Sequence, residues 1–124
     1  MPGERGTIVV AEDNDALRLL CRTVLEYDGF QIVEVTSGNE LADALAEHEV
    51  SVLLLDVHLG DDNGLEIARE LCTSRPELPI IFFSGSAQLY GSEAEELGAA
   101  IISKPFDVDH LSKTVARLAE RSSV

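Results

Sequence analysis

Four short apolar runs, each leading to a polar or charged residue, constrain the fold of this chain more than any other feature. The runs are residues 8–11, 52–55, 80–83 and 101–102. Continuous apolar runs of this length are typical of strands that are buried on both faces, as the strands of a parallel sheet are. The sequence therefore predicts a parallel β-sheet covered by helices on both sides.

Helical patterns alternate with the strands. Residues 30–35 alternate in part and predict a further strand, at an edge of the sheet. Apolar residues at helical spacing predict a first helix along Leu17, Leu20, Cys21, Val24 and Leu25, and a last helix along Val108, Leu111, Val115 and Leu118. Helices are also expected after a Ser37-x-x-Glu40 capping box, after residues 61–64, and over residues 87–97. Five βα units of this kind predict a single doubly wound α/β domain over residues 1–124.

Composition narrows the functional classes. A net charge of −14 disfavours direct binding to nucleic acid or to an anionic membrane, both of which depend on basic patches. The amino-terminal residues lack the apolar segment of a signal peptide, so a cytoplasmic location is expected. The two cysteines, Cys21 and Cys72, are interpreted as small buried side chains of predicted helices rather than as a redox pair.

Three carboxylates follow the predicted strands. Glu12 and Asp13 end the first apolar run, and Asp56 ends the run at residues 52–55. Functional groups of an open parallel sheet collect at the carboxyl ends of its strands, so these carboxylates are expected to lie together. Their mutual repulsion is relieved by a hard divalent cation, and oxygen ligands with open positions suit Mg²⁺.

The same sheet edge carries groups that suit a phosphoryl group. Lys104 offers a compact positive charge, Ser84 offers a hydroxyl, and Gly85 offers a backbone N–H that no side chain shields. Phosphoryl transfer needs an in-line nucleophile and stabilisation of the equatorial oxygens. Asp56 is the natural nucleophile and would form an aspartyl phosphate.

In this order and spacing, the residues resemble the receiver domain of two-component response regulators. The motifs that carry the resemblance are Glu12-Asp13, Asp56, Ser84-Gly85 and Lys104-Pro105-Phe106, and Gly64 matches the glycine expected eight residues after the acceptor. The resemblance implies a flavodoxin-like five-stranded sheet in the order 2-1-3-4-5, with the first and last helices on one face. Cys21 and Cys72 would then lie on opposite faces.

The resemblance also implies a role for each site residue. Asp56 would accept a phosphoryl group from a histidine kinase or a phosphotransfer protein. Mg²⁺ would be bound by Asp13, Asp56 and the backbone carbonyl of His58, with Glu12 acting through water. The phosphoryl group would be bound by the side chains of Ser84 and Lys104 and by the backbone of His58 and Gly85. The domain would be a signalling module rather than an enzyme, catalysing only its own phosphorylation and dephosphorylation.

The resemblance places the output on one face, formed by the fourth predicted helix, the fifth predicted strand and the last helix. The partner there would be a downstream protein or a fused output domain, and a homodimer is also allowed. Three features depart from the family. Gly60 stands where proline is usual, so the loop after Asp56 is expected to be more mobile, and Asp61 and Asp62 are interpreted as solvated residues that cap the next helix. Ile101 stands where an aromatic residue forms a switch with Ser84.

Three alternative hypotheses remain open. A receiver that signals without phosphorylation is favoured by Ile101 and disfavoured by the nearly complete site. A Mg²⁺ phosphatase of the haloacid dehalogenase kind would have a second acid where this chain has His58, and a cap domain for which there is no length. A flavodoxin-like cofactor binder would have a Gly/Ser/Thr-rich loop after the first strand, where the acidic residues 12–15 would repel phosphate.

The imidazole of His58 is interpreted as a partly exposed loop side chain.

Overall fold

The computed structural model describes residues 5–84, 92, 95–97, 99–103 and 107–122, apart from the side chains of Ser84, Ser103, Arg121 and Ser122. The elements within these residues are β1 (Thr7–Ala11), α1 (Asp15–Tyr27), β2 (Gln31–Val35), α2 (Gly38–Glu47), β3 (Val52–Asp56), β4 (His58–Leu59), β5 (Asp62–Asn63), α3 (Gly64–Ser74), β6 (Ile80–Ser84), β7 (Ala100–Ser103) and a last helix (Val108–Ser122). Most of the helix predicted over residues 87–97 lies outside the described residues, and Ser92, Glu95 and Glu96 are helical.

The main sheet is parallel and has five strands in the order β2-β1-β3-β6-β7. This is the predicted 2-1-3-4-5 order, because β4 and β5 form a separate antiparallel hairpin that the sequence analysis did not predict. The central strands β1 and β3 are buried almost throughout, which is why they are continuous apolar runs. The fold is therefore the predicted flavodoxin-like α/β sandwich.

Two hydrophobic clusters cover the two faces of the sheet. The cluster that contains Cys21 and Leu25 of α1 also contains Leu111 and Val115 of the last helix, so these two helices share a face as predicted. The opposite cluster contains buried side chains of α2 and α3. Cys72 belongs to α3 and is only partly buried, so the two cysteines lie on opposite faces, and the expectation that both are buried holds for Cys21 alone.

Two residues of the predicted helical stripes are exposed. Leu20 of α1 is 41% exposed, and Val108 at the start of the last helix is 41% exposed. The helix faces that pack against the sheet are narrow. They are formed by Cys21 and Leu25 in α1 and by Leu111 in the last helix, and Leu20 and Val108 lie beside them. None of the helices within the described residues combines the length and the hydropathy needed to span a bilayer.

The helix ends follow the capping signals of the sequence. Asn14 caps α1 by accepting a hydrogen bond from the backbone N–H of Leu17 at 2.9 Å. Ser37 caps α2 by accepting from the N–H of Glu40 at 3.2 Å. The returning contact of the predicted capping box differs, because the Glu40 carboxylate accepts from Thr36, one residue before the cap.

Glu40 makes the capping of α2 sensitive to pH. Its carboxylate accepts hydrogen bonds from the backbone N–H of Thr36 at 2.6 Å and from the Thr36 hydroxyl at 2.9 Å, and these bonds lower the pKa of Glu40 below its ordinary 4.5. A lowered folded-state pKa stabilises the protein above the unfolded-state pKa, and this stabilisation is lost as the pH falls through the folded-state pKa. We expect Glu40→Gln to lose less free energy of unfolding than the unaltered protein between about pH 6 and about pH 3.5, measured by denaturant titration. Equal losses in the two proteins would contradict this role.

Candidate functional site

Three carboxylates meet at the carboxyl edge of the sheet, as the sequence predicts. Glu12 and Asp13 directly follow β1, and Asp56 is the last residue of β3, its neighbour in the sheet. One oxygen from each of the three side chains lies within 4.8 Å of the others. Glu12 is fully buried and Asp56 is 5% exposed, while Asp13 is exposed. Two buried carboxylates beside a third form a centre of concentrated negative charge.

Backbone N–H groups of the surrounding loops contact all three carboxylates. The N–H of His58 donates to Oδ1 of Asp56 at 3.0 Å, and the N–H of Asn14 donates to Oε2 of Glu12 at 3.1 Å. The N–H of Gly60 donates to Oδ2 of Asp13 at 3.2 Å. Hydrogen bonds of this kind fix the orientation of a carboxylate group.

Arg18 of α1 holds the loop that carries Glu12 and Asp13. Its guanidinium donates to the backbone carbonyl of Glu12 at 3.0 Å and pairs with Asp15 at 2.7 Å and with Glu34 at 3.4 Å. The hydrogen bond to Asp15, with the charges of Asp15 and Glu34, raises the pKa of Arg18 against the opposing effect of desolvation. Arg18 was not predicted as a site residue, although its spacing of three from Asp15 on a predicted helix was a usable signal.

Gly64 allows the start of α3 to pack directly against the end of β3. A Cβ atom at this position would lie 2.3 Å from the carbonyl oxygen of Asp56 and 2.9 Å from Cα of Val57. The N–H of Gly64 donates to the carbonyl of Val57 at 2.7 Å. A glycine eight residues after Asp56 is therefore required by the close approach of the two backbones at this point.

The segment between Asp56 and Gly64 is a β-hairpin rather than an open loop. Gly60 has a φ of +58°, and no non-glycine residue of the described chain has a positive φ, Asp61 included. A positive φ at the first position of a two-residue hairpin turn favours glycine there. The greater mobility expected from Gly60 stays a prediction.

Asp62 was interpreted as a cap of the next helix, but its contact is with a different helix. Its Oδ2 accepts a hydrogen bond at 2.8 Å from the N–H of Gly38, the first residue of α2. The cap of α3 is Asn63, whose side chain accepts from the N–H groups of Leu65 and Glu66. A carboxylate interacts favourably with the positive end of a helix dipole, so Asp62 ties the hairpin to α2.

The remaining predicted site residues are placed only in part. The backbone of Ser84 pairs with that of Ser103, and the preceding Phe83 pairs with Asp56, so Ser84 ends the strand next to Asp56. The Ser84 side chain, Gly85 and Lys104 lie outside the described residues. Ile101, at the predicted switch position, is partly buried and packs against the cluster on the face of α2 and α3. The side chain of His58 is exposed, but the residue belongs to β4 and not to the predicted loop.

The donor set of the cluster suits a divalent cation. Mg²⁺ binds oxygen ligands at about 2.0–2.1 Å, so opposite ligand oxygens in its octahedron lie about 4.2 Å apart. The spread of 4.8 Å among the three carboxylates needs a small contraction, or one carboxylate acting through a water molecule. Buried carboxylates are stable when they are paired or bind a metal, so the residues fit a Mg²⁺ site.

Comparison with known proteins identifies the family to which this chain belongs. Residues 8–116 match the family described as the response regulator receiver domain, and the chain belongs to this family. Receiver domains of two-component systems are signalling domains, and they bind Mg²⁺ at an acidic pocket such as the one formed here by Glu12, Asp13 and Asp56.

Individual relatives support the assignment. The chain is similar to the transcriptional regulatory protein YkoG of Bacillus subtilis, with 31% identity over 87% of this chain and 48% of YkoG. It is also similar to the response regulator SaeR of Staphylococcus aureus, with 27% identity over 92% of this chain and 50% of SaeR. The chain thus spans about half the length of these relatives.

Among solved structures, the receiver domain of the TMAO respiratory system response regulator TorR superposes with a TM-score of 0.85 and 28% identity, covering 93% of this chain and 97% of that one. The receiver domain of a response regulator from Bacteroides fragilis gives a TM-score of 0.82 and 26% identity, with coverages of 91% and 95%.

Proposed function

We propose that this receiver domain is phosphorylated on Asp56 in a Mg²⁺-dependent reaction, and that phosphorylation changes its affinity for a protein partner. The donor would be the phosphohistidine of a histidine kinase or of a phosphotransfer protein. A carboxylate oxygen of Asp56 would attack phosphorus as the bond from phosphorus to the histidine nitrogen breaks. The only chemistry of the domain would be this transfer and the later hydrolysis of the aspartyl phosphate.

The observation that carries the proposal is the burial of Asp56 beside Glu12 and within reach of Asp13. A carboxylate that is 5% exposed and shares its site with a fully buried one is costly for a metal-free fold. Asp13, Asp56 and the backbone carbonyl of His58 would bind Mg²⁺ directly, and Glu12 would bind it through water. The ion supplies positive charge that offsets the charge of the phosphoryl oxygens.

The phosphoryl group needs further contacts on the side of β6 and β7. The backbone of Ser84, at the end of β6, pairs with that of Ser103, at the end of β7. This pairing supports a position of both strand ends at the same edge of the sheet, and Lys104 is the next residue after Ser103. In the proposed site, Ser84 and Lys104 bind phosphoryl oxygens with their side chains, while His58 and Gly85 contribute backbone groups. Ser84 and Ile101 would carry the change to the surface.

We further propose that residues 1–124 act as one cytoplasmic domain whose output face includes β7 and the last helix. The partner would be a downstream protein or a fused output domain, consistent with relatives that are about twice the length of the matched region. A homodimer through the same face is a further candidate. Direct contact with nucleic acid is not expected from a chain of net charge −14.

The test is the intact mass after incubation with Mg²⁺ and acetyl phosphate, with and without EDTA. We expect the gain of one phosphoryl group that requires Mg²⁺ and is absent from Asp56→Ala. Asp61→Ala is the matched control, because it removes a nearby exposed carboxylate that lies outside the cluster, and it should be labelled like the unaltered protein. A folded protein that binds Mg²⁺ but gains no mass would instead support a receiver that signals without phosphorylation.

A further inference from the structure

Asp13 differs from the other two carboxylates in how it is held. Glu12 and Asp56 are buried, so packing restricts their side chains, whereas Asp13 is exposed. An exposed side chain loses conformational entropy when it is fixed for ligand binding, and a contact that fixes it beforehand lowers that cost. The contact that the structure provides is the hydrogen bond from the N–H of Gly60 to Oδ2 of Asp13 at 3.2 Å.

The conformation of Gly60 is necessary for this contact. A φ of +58° is readily available to glycine, tolerable for asparagine and closed to proline, whose ring fixes φ near −65°. Proline also lacks the N–H that Asp13 accepts. Residue 60 therefore contributes to the site through its backbone alone.

The hairpin that presents Gly60 is itself anchored at two further points. On one strand, Leu59 is fully buried in the cluster on the face of α2 and α3. On the other strand, Asp62 accepts the hydrogen bond from the N–H of Gly38 at the start of α2. The turn between Leu59 and Asp62 is only two residues long, so these anchors determine where the N–H of Gly60 lies.

Given the Mg²⁺ site proposed above, we propose that the β4–β5 hairpin is a positioning element for Asp13, with Gly60 as its contact and Asp62 as its anchor on α2. Neither residue binds the metal. The hairpin acts by holding one carboxylate oxygen of Asp13, so that the side chain is oriented before Mg²⁺ arrives. Loss of such outer contacts typically weakens metal binding about 10–100-fold.

The first experiment compares Gly60→Pro with Gly60→Asn. Mg²⁺ affinity is measured by isothermal titration calorimetry, and folding is checked independently by denaturant titration. We expect Gly60→Pro to bind Mg²⁺ about tenfold more weakly, because it loses both the donor and the positive φ. Gly60→Asn keeps the N–H and tolerates this φ, so its affinity should stay within about twofold of the unaltered protein.

The second experiment tests the anchor at a distance from the metal ligands. Asp62→Ala removes the acceptor and the charge, Asp62→Asn removes only the charge, and Asp61→Asn removes a charge one residue earlier. If charge alone mattered, the three variants would weaken Mg²⁺ binding equally. We expect Asp62→Ala to bind about threefold more weakly than the other two variants, because it alone loses the contact with Gly38.

A spectroscopic signature separates positioning from general stability. In the metal-free protein, the amide proton of Gly60 should shift upfield in Asp13→Ala, since a hydrogen bond to a carboxylate is lost.

Equal Mg²⁺ affinity of Gly60→Pro and the unaltered protein would overturn the positioning role alone, as would equal effects of Asp62→Ala and Asp61→Asn. Failure of the unaltered protein to bind Mg²⁺ would overturn the proposed function, and the positioning role with it.

Discussion

Replacing Gly64 with alanine is expected to destabilise the protein by about 3 kcal/mol, the upper end of the usual cost of overpacking. The added Cβ would lie 2.3 Å from the carbonyl oxygen of Asp56 and 2.9 Å from Cα of Val57, which is closer than real Cβ contacts. Both neighbours are backbone atoms at the end of a central strand, so neither can rotate away. The strain must be relieved by moving α3 or the end of β3.

Because the displaced backbone belongs to Asp56, Gly64→Ala should also weaken Mg²⁺ binding and slow phosphorylation.

The matched control for the loss of stability is Gly38→Ala, where the added Cβ would meet Oδ2 of Asp62 at 3.1 Å. That neighbour is the end of an exposed side chain that can shift, so the cost should stay below about 1 kcal/mol. Denaturant titration of both variants measures the difference. A cost at Gly64 no greater than at Gly38 would show that β3 and α3 can separate easily, and would contradict the close approach of Gly64 to Asp56 and Val57.

The sheet and the carboxylate cluster could be predicted from the sequence because each depends on a local pattern. The predicted apolar run at residues 52–55 and the Asp56 that ends it correspond to β3, since a strand buried on both faces must be apolar until it ends. The cluster then follows from topology, because adjacent parallel strands end at the same edge. The strand order required the resemblance to receiver domains, because apolar runs do not specify their neighbours.

The β4–β5 hairpin could not be predicted, for a physical reason. Its strands are two residues long, and three of the four side chains are exposed, so they leave no periodic pattern. The contact that anchors it joins Asp62 to Gly38, which are 24 residues apart in the chain and close only after α2 has packed. Gly60 was recognised as unusual, but its positive φ and its contact with Asp13 depend on that tertiary arrangement.

Asp56→Asn is expected to raise the free energy of unfolding of the metal-free protein by about 1–3 kcal/mol. The Asp56 carboxylate is 5% exposed and lies beside the fully buried Glu12, so the two side chains carry like charges at short range with little contact to water. Asparagine has nearly the same shape, and its Oδ1 can still accept the N–H of His58. The substitution therefore removes the repulsion and keeps this hydrogen bond, at the expense of the proposed phosphorylation site.

Mg²⁺ should reduce this advantage. A ligand at ten times its dissociation constant stabilises the folded state by about 1.4 kcal/mol, and the unaltered protein should gain this while Asp56→Asn gains little.

Asp13→Asn separates the loss of charge repulsion from the loss of Mg²⁺ binding, because the exposed Asp13 is already solvated. Its metal-free gain should stay below about 0.5 kcal/mol, while its Mg²⁺-dependent gain is also lost. Denaturant titrations with EDTA and with Mg²⁺ give both quantities for each protein. A metal-free Asp56→Asn that is less stable than the unaltered protein would mean that the Asp56 carboxylate stabilises the fold through its contacts, and that the cluster is not held under repulsion before the metal binds.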